Sequence, residues 1–422
     1  MRDRVSPALR ALLLLGGCAA IAWVVSGVTA SGDYQPGSVA TGDNAAPAID
    51  ALIHGHVARM ASAQPLMGLV SLIWRAPFAG LAVSLGARPQ LVYQVGAAAC
   101  LLSTLGLVAW LGSRARTAAG FGAAALAAAV VIAGPVTRQA LVLGHPEEVL
   151  TTVLATGAVI AAGQNRRAWA AALLGLAIGS KPWAVLATPA VLVSLPDVGA
   201  ALAARAAVAA RAVAVAAPAV AVLPLADLGA FRRSEHLIGG LNVTTPFSLW
   251  WPVRGSILRP GVPMNLLPLS LTRSDVAAVV LIAAATAISI YARRVGRGRM
   301  PAVDGLALLA LIGLLRCLAD PAPLTYYFVP LVIPLAVWEA GTLRRLPVVA
   351  VLVSAALDLF PQDELAVVTG HSPFGLDVVN LVWIAAGCAL AVYLVRHSFH
   401  RNGDGALARL GARVLQPAGE RA

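Results

Sequence analysis

The sequence predicts an all-α polytopic membrane protein. Of its 422 residues, 59% are hydrophobic and only 12% are charged, and the mean hydropathy is +0.81. A soluble globular domain carries about 25% charged residues, so this composition excludes an ordinary soluble fold. Long apolar stretches alternate with short arginine-bearing segments, which is typical of helices that cross a membrane repeatedly.

The net charge of +12 indicates membrane topology rather than binding to nucleic acid. Positive charges lie in short runs between apolar spans, as at Arg166-Arg167 and Arg293-Arg294, and such loops mark the cytoplasmic side. The 4 cysteines lie inside apolar spans without metal-like spacing. They predict neither a disulfide framework nor a zinc site.

We expect about 10–12 membrane helices in a single integral membrane domain, 1–422. The first span exceeds the ~7–15 residue core of a signal peptide, so we expect a retained helix with a cytoplasmic amino end rather than a cleaved signal. The apolar spans are 8–28, 91–111, 118–133, 149–162, 168–195, 212–228, 276–291, 306–318, 326–338, 347–360 and 378–395.

The segment 168–196 predicts a broken helical hairpin. Lys181-Pro182 lies in its middle, and proline interrupts a helix because it lacks the backbone N–H. Two short helices meeting near the outer face return the chain to the cytoplasm. A single span would instead put Arg205 and Arg211 outside, against the positive-inside rule.

Two long loops are expected on the outer face, at 29–89 and 229–274. In the first we predict two interfacial helices, one over 43–60 and one over 66–85 that is interrupted by Trp74-Arg75-Ala76-Pro77. The polar tail 396–422 is expected in the cytoplasm. Both chain ends are therefore predicted to be cytoplasmic in a plasma-membrane protein.

A polar cluster, Gly144-His145-Pro146-Glu147-Glu148, precedes the span 149–162. Ionisable groups at membrane depth are costly, which indicates a role. His145, Glu147 and Glu148 could hold acceptor hydroxyls, position a cation or supply a base. The alternative is structural, because Pro146 suits a first helical turn and carboxylates there meet the helix dipole.

Lys181 is the single lysine in a chain that otherwise uses arginine. At the tip of a broken hairpin, beside Pro182-Trp183, it is a candidate phosphate contact. The alternative is a lysine that snorkels to the membrane surface from a helix end.

The order of elements and three motifs resemble the glycosyltransferase 87 family, an actinobacterial mannosyltransferase-like group with the GT-C fold. The motifs are Gly144 to Glu148, Gly175 to Trp183, and Asp320-Pro321 with Tyr326-Tyr327. Gly42-Asp43 also matches that fold's acid in the first outer loop. The resemblance covers nearly the whole chain, and its motifs are more specific together than singly.

This resemblance implies a GT-C-like architecture and a polyprenyl-phosphate sugar donor. A hexosyl residue, mannosyl on the resemblance alone, would pass to a lipid or glycan acceptor at the outer face. The acceptor hydroxyl must lose a proton, so one carboxylate is needed as base. The leaving lipid phosphate needs cations and hydrogen-bond donors more than a second acid.

Candidate residues follow from that chemistry. Asp43 is the candidate base, with a helix N-cap as the alternative, and Asp50 is the other acid nearby. Aromatic side chains could stack on sugar faces or form an interfacial belt. The phosphate-binding candidates are Lys181, Arg138 and Arg316, with an Arg316–Asp320 pair as the alternative; the stacking candidates are Trp183, Tyr326 and Tyr327.

Neither a glycine-rich nucleotide-binding loop nor a soluble nucleotide-binding domain is visible in the sequence, which favours a lipid-borne donor. The sequence identifies no cofactor, and no ligand spacing demands a metal, although a divalent cation near the acids is possible. Membrane lipids are expected partners, and nucleic acid is not. A lipid or small-molecule transporter is the other class, but it should show paired broken helices, and the sequence shows one convincing break.

Overall fold

The computed structural model describes residues 7–28, 45–63, 67–196, 201–239, 247–249, 251–253, 302–320, 323–359 and 373–399. This part of the chain is helical and contains no strand, as the sequence predicts. The predicted base Asp43, the span 276–291 and most of the loop 229–274 lie outside the described residues.

Between residues 45 and 196 the helices follow one another with short connections. In chain order the described helices are α1 (Pro7–Ser26), α2 (Ala45–Ile53), α3 (Val57–Ala63), α4 (Leu69–Ser84), α5 (Pro89–Leu102), α6 (Thr104–Arg114), α7 (Ala118–Ala133), α8 (Pro135–Val142), α9 (Pro146–Gly163), α10 (Arg167–Ser180), α11 (Thr188–Ser194), α12 (Ala201–Ala226), α13 (Leu228–Gly239), α14 (Ala302–Ala319), α15 (Val329–Gly341), α16 (Val348–Leu359) and α17 (Pro373–Phe399). Short 3-10 helices occupy Pro182–Ala187, Trp251–Val253 and Thr325–Phe328.

Within the described ranges, 5 helical segments are long and apolar enough to cross a membrane. They are Pro7–Ser26, Pro89–Arg114, Ala118–Val142, Ala203–Ala226 and Asp377–His397. Several others, including α10, α14 and α16, are apolar but shorter. The protein is therefore a membrane-embedded helical bundle. Among the described residues the number of long spans is lower than the predicted 10–12 because several predicted spans form short helices, and the predicted span 276–291 lies outside these residues.

Helix α9 lies at the centre of the bundle and packs against α10, α11, α14 and α15. Its side chains are buried along nearly its whole length, as are those of α15. By contrast, α12 and α17 bury few residues and lie at the periphery. Because α9 and α15 are enclosed by other helices, they are not exposed to lipid along their full length. Central helices of this kind can therefore be shorter than a full membrane span.

The two ends of the bundle differ in charge. Arginine pairs follow the carboxyl ends of α6, α9 and α15, at Arg114 and Arg116, Arg166-Arg167, and Arg344-Arg345. At the opposite end lie the start of α9, the end of α10 and the 3-10 turn before α15. The polar cluster predicted from the sequence lies there.

The first outer loop differs from its prediction in two ways. The helix expected over 43–60 is divided at Gly55, whose φ of 72° is a conformation that suits glycine. Helix α4, in contrast, runs without a break through Trp74 to Pro77. Arg75 is only 2% exposed, so what the sequence presented as a polar interruption is a buried arginine within a helix.

Two arginines expected in a cytoplasmic loop instead belong to a helix. Helix α12 begins at Ala201 rather than at 212, so it includes Arg205 and Arg211. The Arg205 guanidinium donates from Nε to the carbonyl of Leu192 at 2.9 Å and from Nη2 to that of Leu195 at 3.1 Å. It thus satisfies carbonyls at the end of α11 that lack helical partners. At the other terminus, α17 extends to Phe399, beyond the predicted start of the tail at 396.

Candidate functional site

A tight turn between α8 and α9 presents two buried carboxylates. Gly144 adopts a φ of 81°, which reverses the chain and which other residues rarely adopt. Pro146 then opens α9, and Glu147 and Glu148 follow in its first turn. Their side chains are 0% and 1% exposed, so both point into the protein and require partners.

Lys181 supplies the nearest positive charge. Helix α10 ends at Ser180, Lys181 is extended, and Pro182 starts the 3-10 turn, so the helix is broken where the sequence predicts. The Lys181 Nζ lies 3.1 Å from Glu147 Oε1 and 3.5 Å from Glu148 Oε1. With 13% of its side chain exposed, the lysine bridges both acids instead of snorkelling to the surface.

Arg316, from the last turn of α14, is the second positive charge beside Glu147 and Glu148. Its Nη1 lies 3.9 Å from Glu148 Oε2, while Trp183 Nε1 donates to the same oxygen at 2.8 Å. The guanidinium carbon is 4.7 Å from the Trp183 ring centre and 4.8 Å from that of Tyr327. These cation–π distances hold the arginine between two aromatic rings.

His145 and the tyrosines form the remaining side of the cluster. The His145 Nδ1 lies 3.2 Å from Glu147 Oε1, and its ring stacks on Tyr326 with centroids 4.3 Å apart. Tyr326 and Tyr327 meet edge to face at 4.7 Å. We call the group formed by His145, Glu147, Glu148, Lys181, Trp183, Arg316, Tyr326 and Tyr327 the acid–base cluster.

One carboxylate oxygen of the acid–base cluster remains without a partner in the part of the chain that the structure describes. Glu147 Oε2 is buried and has no hydrogen-bond partner among the described residues. Lys181 lies between the two acids, and Arg316 faces Glu148. The acid–base cluster therefore buries two acids and two cations together.

Arg75 is the site residue that the sequence reasoning missed. It reaches from α4 into electrostatic range of Glu147, and its guanidinium lies 5.8 Å from the Tyr93 ring centre. Gly96 on α5 lies directly beside it, since a Cβ there would be in ordinary van der Waals contact with Arg75 Nε, at 3.5 Å. An arginine inside an apolar helix is itself a signal of function, and it could have identified this residue.

Two hydrogen bonds to Ser180 fix the position of the Lys181 segment. Thr151 donates to Ser180 Oγ at 3.0 Å, which joins α9 to α10. The Gly68 N–H donates to the Ser180 carbonyl at 2.8 Å. The start of α4 thus lies directly against the end of α10, beside the acid–base cluster.

We expect Gly68→Ala to destabilise the protein. A Cβ at this position would lie 1.9 Å from the Gly179 carbonyl oxygen, and overpacking against backbone costs about 1–3 kcal/mol or more. Thermal unfolding in detergent measures the effect. Gly16→Ala is the matched control, since nothing lies within 4 Å of its Cβ position; equal melting temperatures for the two variants would contradict the close approach.

Some predicted residues lie apart from the cluster. Arg138 is exposed on α8, and no ion pair or hydrogen bond links its side chain to the described part of the cluster. Asp50 pairs at the surface with Arg59 at 3.7 Å and His54 at 3.4 Å. A phosphate role for Arg138 therefore stays a prediction without a contact to support it.

The metal-ligating side chains in the described ranges do not by themselves form a divalent-cation site. No group of three or more metal-ligating side chains occurs in the described ranges. Glu147 and Glu148 already face Lys181 and Arg316, and a divalent cation would be repelled by both. A metal at this end of the bundle would need further ligands.

A third buried carboxylate, Glu339, lies at the opposite end of the bundle, at the carboxyl end of α15. Glu339 is 0% exposed; its Oε1 lies 2.9 Å from Arg345 Nη2, and its Oε2 accepts from the Ala350 N–H at 3.0 Å. Arg345 also bonds to the Tyr393 hydroxyl. This arrangement joins the turn after α15 to the start of α16, which is a structural role.

The chain matches no family model, no curated protein and no solved structure.

Proposed function

We propose that this membrane protein is a GT-C-like glycosyltransferase. It transfers a hexosyl residue, mannosyl on the resemblance to the glycosyltransferase 87 family, from a polyprenyl-phosphate donor to a lipid or glycan acceptor at the outer face of the plasma membrane. The observation that carries the proposal is the burial of two acids and two cations together at one end of the bundle.

The reaction explains why both signs of charge are needed in one place. The acceptor hydroxyl loses its proton as it attacks the anomeric carbon, and a carboxylate receives that proton. The bond from the anomeric carbon to the donor phosphate breaks, and the departing phosphate carries negative charge. Lys181 and Arg316 are placed to stabilise that charge, since charge-assisted hydrogen bonds are the strong ones.

Aromatic side chains support a sugar substrate. Trp183, Tyr326 and Tyr327 surround the charged groups, and Arg316 orients two of the rings by lying between them. A sugar ring has apolar faces that pack on such rings, and its hydroxyls could bond to Glu147 or His145. The sequence makes these residues candidates for sugar stacking, with an interfacial aromatic belt as the alternative, and their position beside the acids supports the stacking role.

The proposed orientation places both chain ends and the arginine loops in the cytoplasm. Arginine pairs lie near the carboxyl ends of α6, α9 and α15 at one end of the bundle. Under the positive-inside rule this supports a cytoplasmic position for that end and an outer position for the acid–base cluster. We expect reporter tags after Arg299 and at the carboxyl end to give cytoplasmic signals and a tag at Ser38 to give an external one. A cytoplasmic signal at Ser38 would overturn the orientation.

The function is tested with purified protein and synthetic polyprenyl-phosphate mannose or glucose. A lipid and glycan acceptor pool is added, with and without Mg²⁺, and mass spectrometry detects products that have gained one hexose. We expect hexose transfer by the wild type and not by Glu147→Gln. Glu339→Gln is the control, because it removes an equally buried carboxylate at the opposite end; equal activity of the two variants would reject the proposed site.

Transport is the second candidate, and a structural observation favours it. Besides the break at Lys181, the chain breaks between α7 and α8 at Gly134, whose ψ of 152° is not helical. Broken helices beside a polar site are typical of transporters. Movement of a fluorescent polyprenyl-phosphate lipid across sealed proteoliposomes, without hexose transfer, would establish transport instead.

A further inference from the structure

A groove with a volume of about 430 Å³ opens on the flank of the bundle. Its walls are α6 and α10, and α9 forms the floor; the residues that matter here are Gly106, Trp110, Gly157, Arg166, Trp169 and Leu173. The groove follows the second half of α9, whereas the acid–base cluster lies at the start of that helix. It is therefore a separate feature, and what binds there is independent of the proposed transferase reaction.

The groove is apolar along its length and basic at one end. Arg166 lines that end, and the Arg114 guanidinium lies 5.1 Å from the ring centre of Trp110, which is also part of the wall. The two loops that meet here, 113–117 and 164–167, contain four arginines and no acidic residue. A bound molecule would thus need an apolar body and a negatively charged head.

Two further observations indicate a lipid. Trp169 is 64% exposed at the basic end, and tryptophan prefers the level of the lipid headgroups. Gly106 has nothing within 4 Å of its Cβ position, so the middle of the groove is open rather than filled by a neighbouring helix. The volume lies in the range of about 300–1,000 Å³ that ligand sites have.

We propose that the groove binds an acyl chain of an anionic glycerophospholipid whose phosphate lies beside Arg114 and Arg166. Basic pockets between membrane helices select anionic headgroups, because each nearby arginine contributes to attraction of the phosphate. The apolar walls accept a chain of any common lipid, so the walls determine occupancy and the arginines determine headgroup preference.

The test uses delipidated full-length protein titrated with palmitoyl-oleoyl phosphatidylglycerol or with the phosphatidylcholine of the same chains. Native mass spectrometry counts the bound lipids. We expect phosphatidylglycerol to bind preferentially, and Arg114→Gln/Arg166→Gln to lower its affinity roughly thirtyfold, about fivefold for each arginine. Arg88→Gln is the control, because Arg88 is exposed at the other end of α5.

A second variant tests the groove itself. Gly106→Leu should fill the open space and remove one bound lipid, whichever headgroup it carries. Gly122→Leu is its matched control, since this exposed glycine on α7 also has nothing within 4 Å of its Cβ position.

Three results would overturn the proposal. If both test variants bind phosphatidylglycerol like their controls, the groove holds no lipid. If Gly106→Leu loses a lipid while the arginine double variant does not, a neutral lipid binds there. If Gly106→Leu lowers the melting temperature without changing the lipid count, a segment of the chain itself, such as 276–291, fills the groove. Should Gly106→Leu fail to fold, the arginine variants decide alone.

Discussion

Lys181→Met is expected to destabilise the protein by about 3–5 kcal/mol and to weaken donor binding by roughly one to two decades. The loss of stability arises because Glu147 and Glu148 are 0% and 1% exposed and would lose the ammonium group that lies 3.1 Å and 3.5 Å from their oxygens. Methionine keeps the length of the side chain, so the change isolates the charge. Unfolding in detergent and binding of a polyprenyl-phosphate sugar measure the two effects.

A double variant separates the structural role of Lys181 from its role in binding. Lys181→Met/Glu147→Gln removes one buried charge of each sign, so stability should recover relative to the single variant while donor binding stays weak. Recovery of donor binding together with stability would show that the lysine acts only through folding. Arg88→Gln removes an exposed cation and should change neither quantity.

Asp43→Asn is expected to reduce turnover by about 10²-fold or more, because loss of a general base typically has that effect. Asparagine has nearly the same shape and cannot accept the proton, so unfolding and donor binding should stay normal. Steady-state hexose transfer at saturating donor measures turnover. Asp50→Asn is the matched control, since Asp50 is half exposed and pairs with Arg59 at the surface; its turnover should match the wild type.

The competing base is Glu147. Both oxygens of Glu148 face Lys181, Trp183 or Arg316, whereas Glu147 Oε2 has no partner among the described residues. If Asp43→Asn retains near-normal turnover and Glu147→Gln does not, the proton passes to Glu147. In that case Asp43 is assigned the alternative role of capping a helix.

Much of the helical pattern could be predicted from composition and from the order of apolar and basic segments. The break at Lys181-Pro182 and the start of α9 at Pro146 follow from proline, which is a local signal. Arg75 could not be placed in the same way. A charged residue in an apolar segment can indicate either a loop or a buried ionisable group. Only the packing of α5 against α4 shows that Arg75 is buried.

The sequence by itself determined that this is a helical membrane protein and that His145, Glu147, Glu148, Lys181 and Arg316 are costly to bury. It therefore required that these charges find partners. Only the tertiary structure decided which partners they have: Lys181 bridges both acids, and Arg316 lies between Trp183 and Tyr327 with Glu148 as an acidic partner. The reason is physical. Helix periodicity is a local property, and an apolar side chain suits a lipid-facing surface as well as a packed interface, so apolar residues alone do not reveal which helices become neighbours.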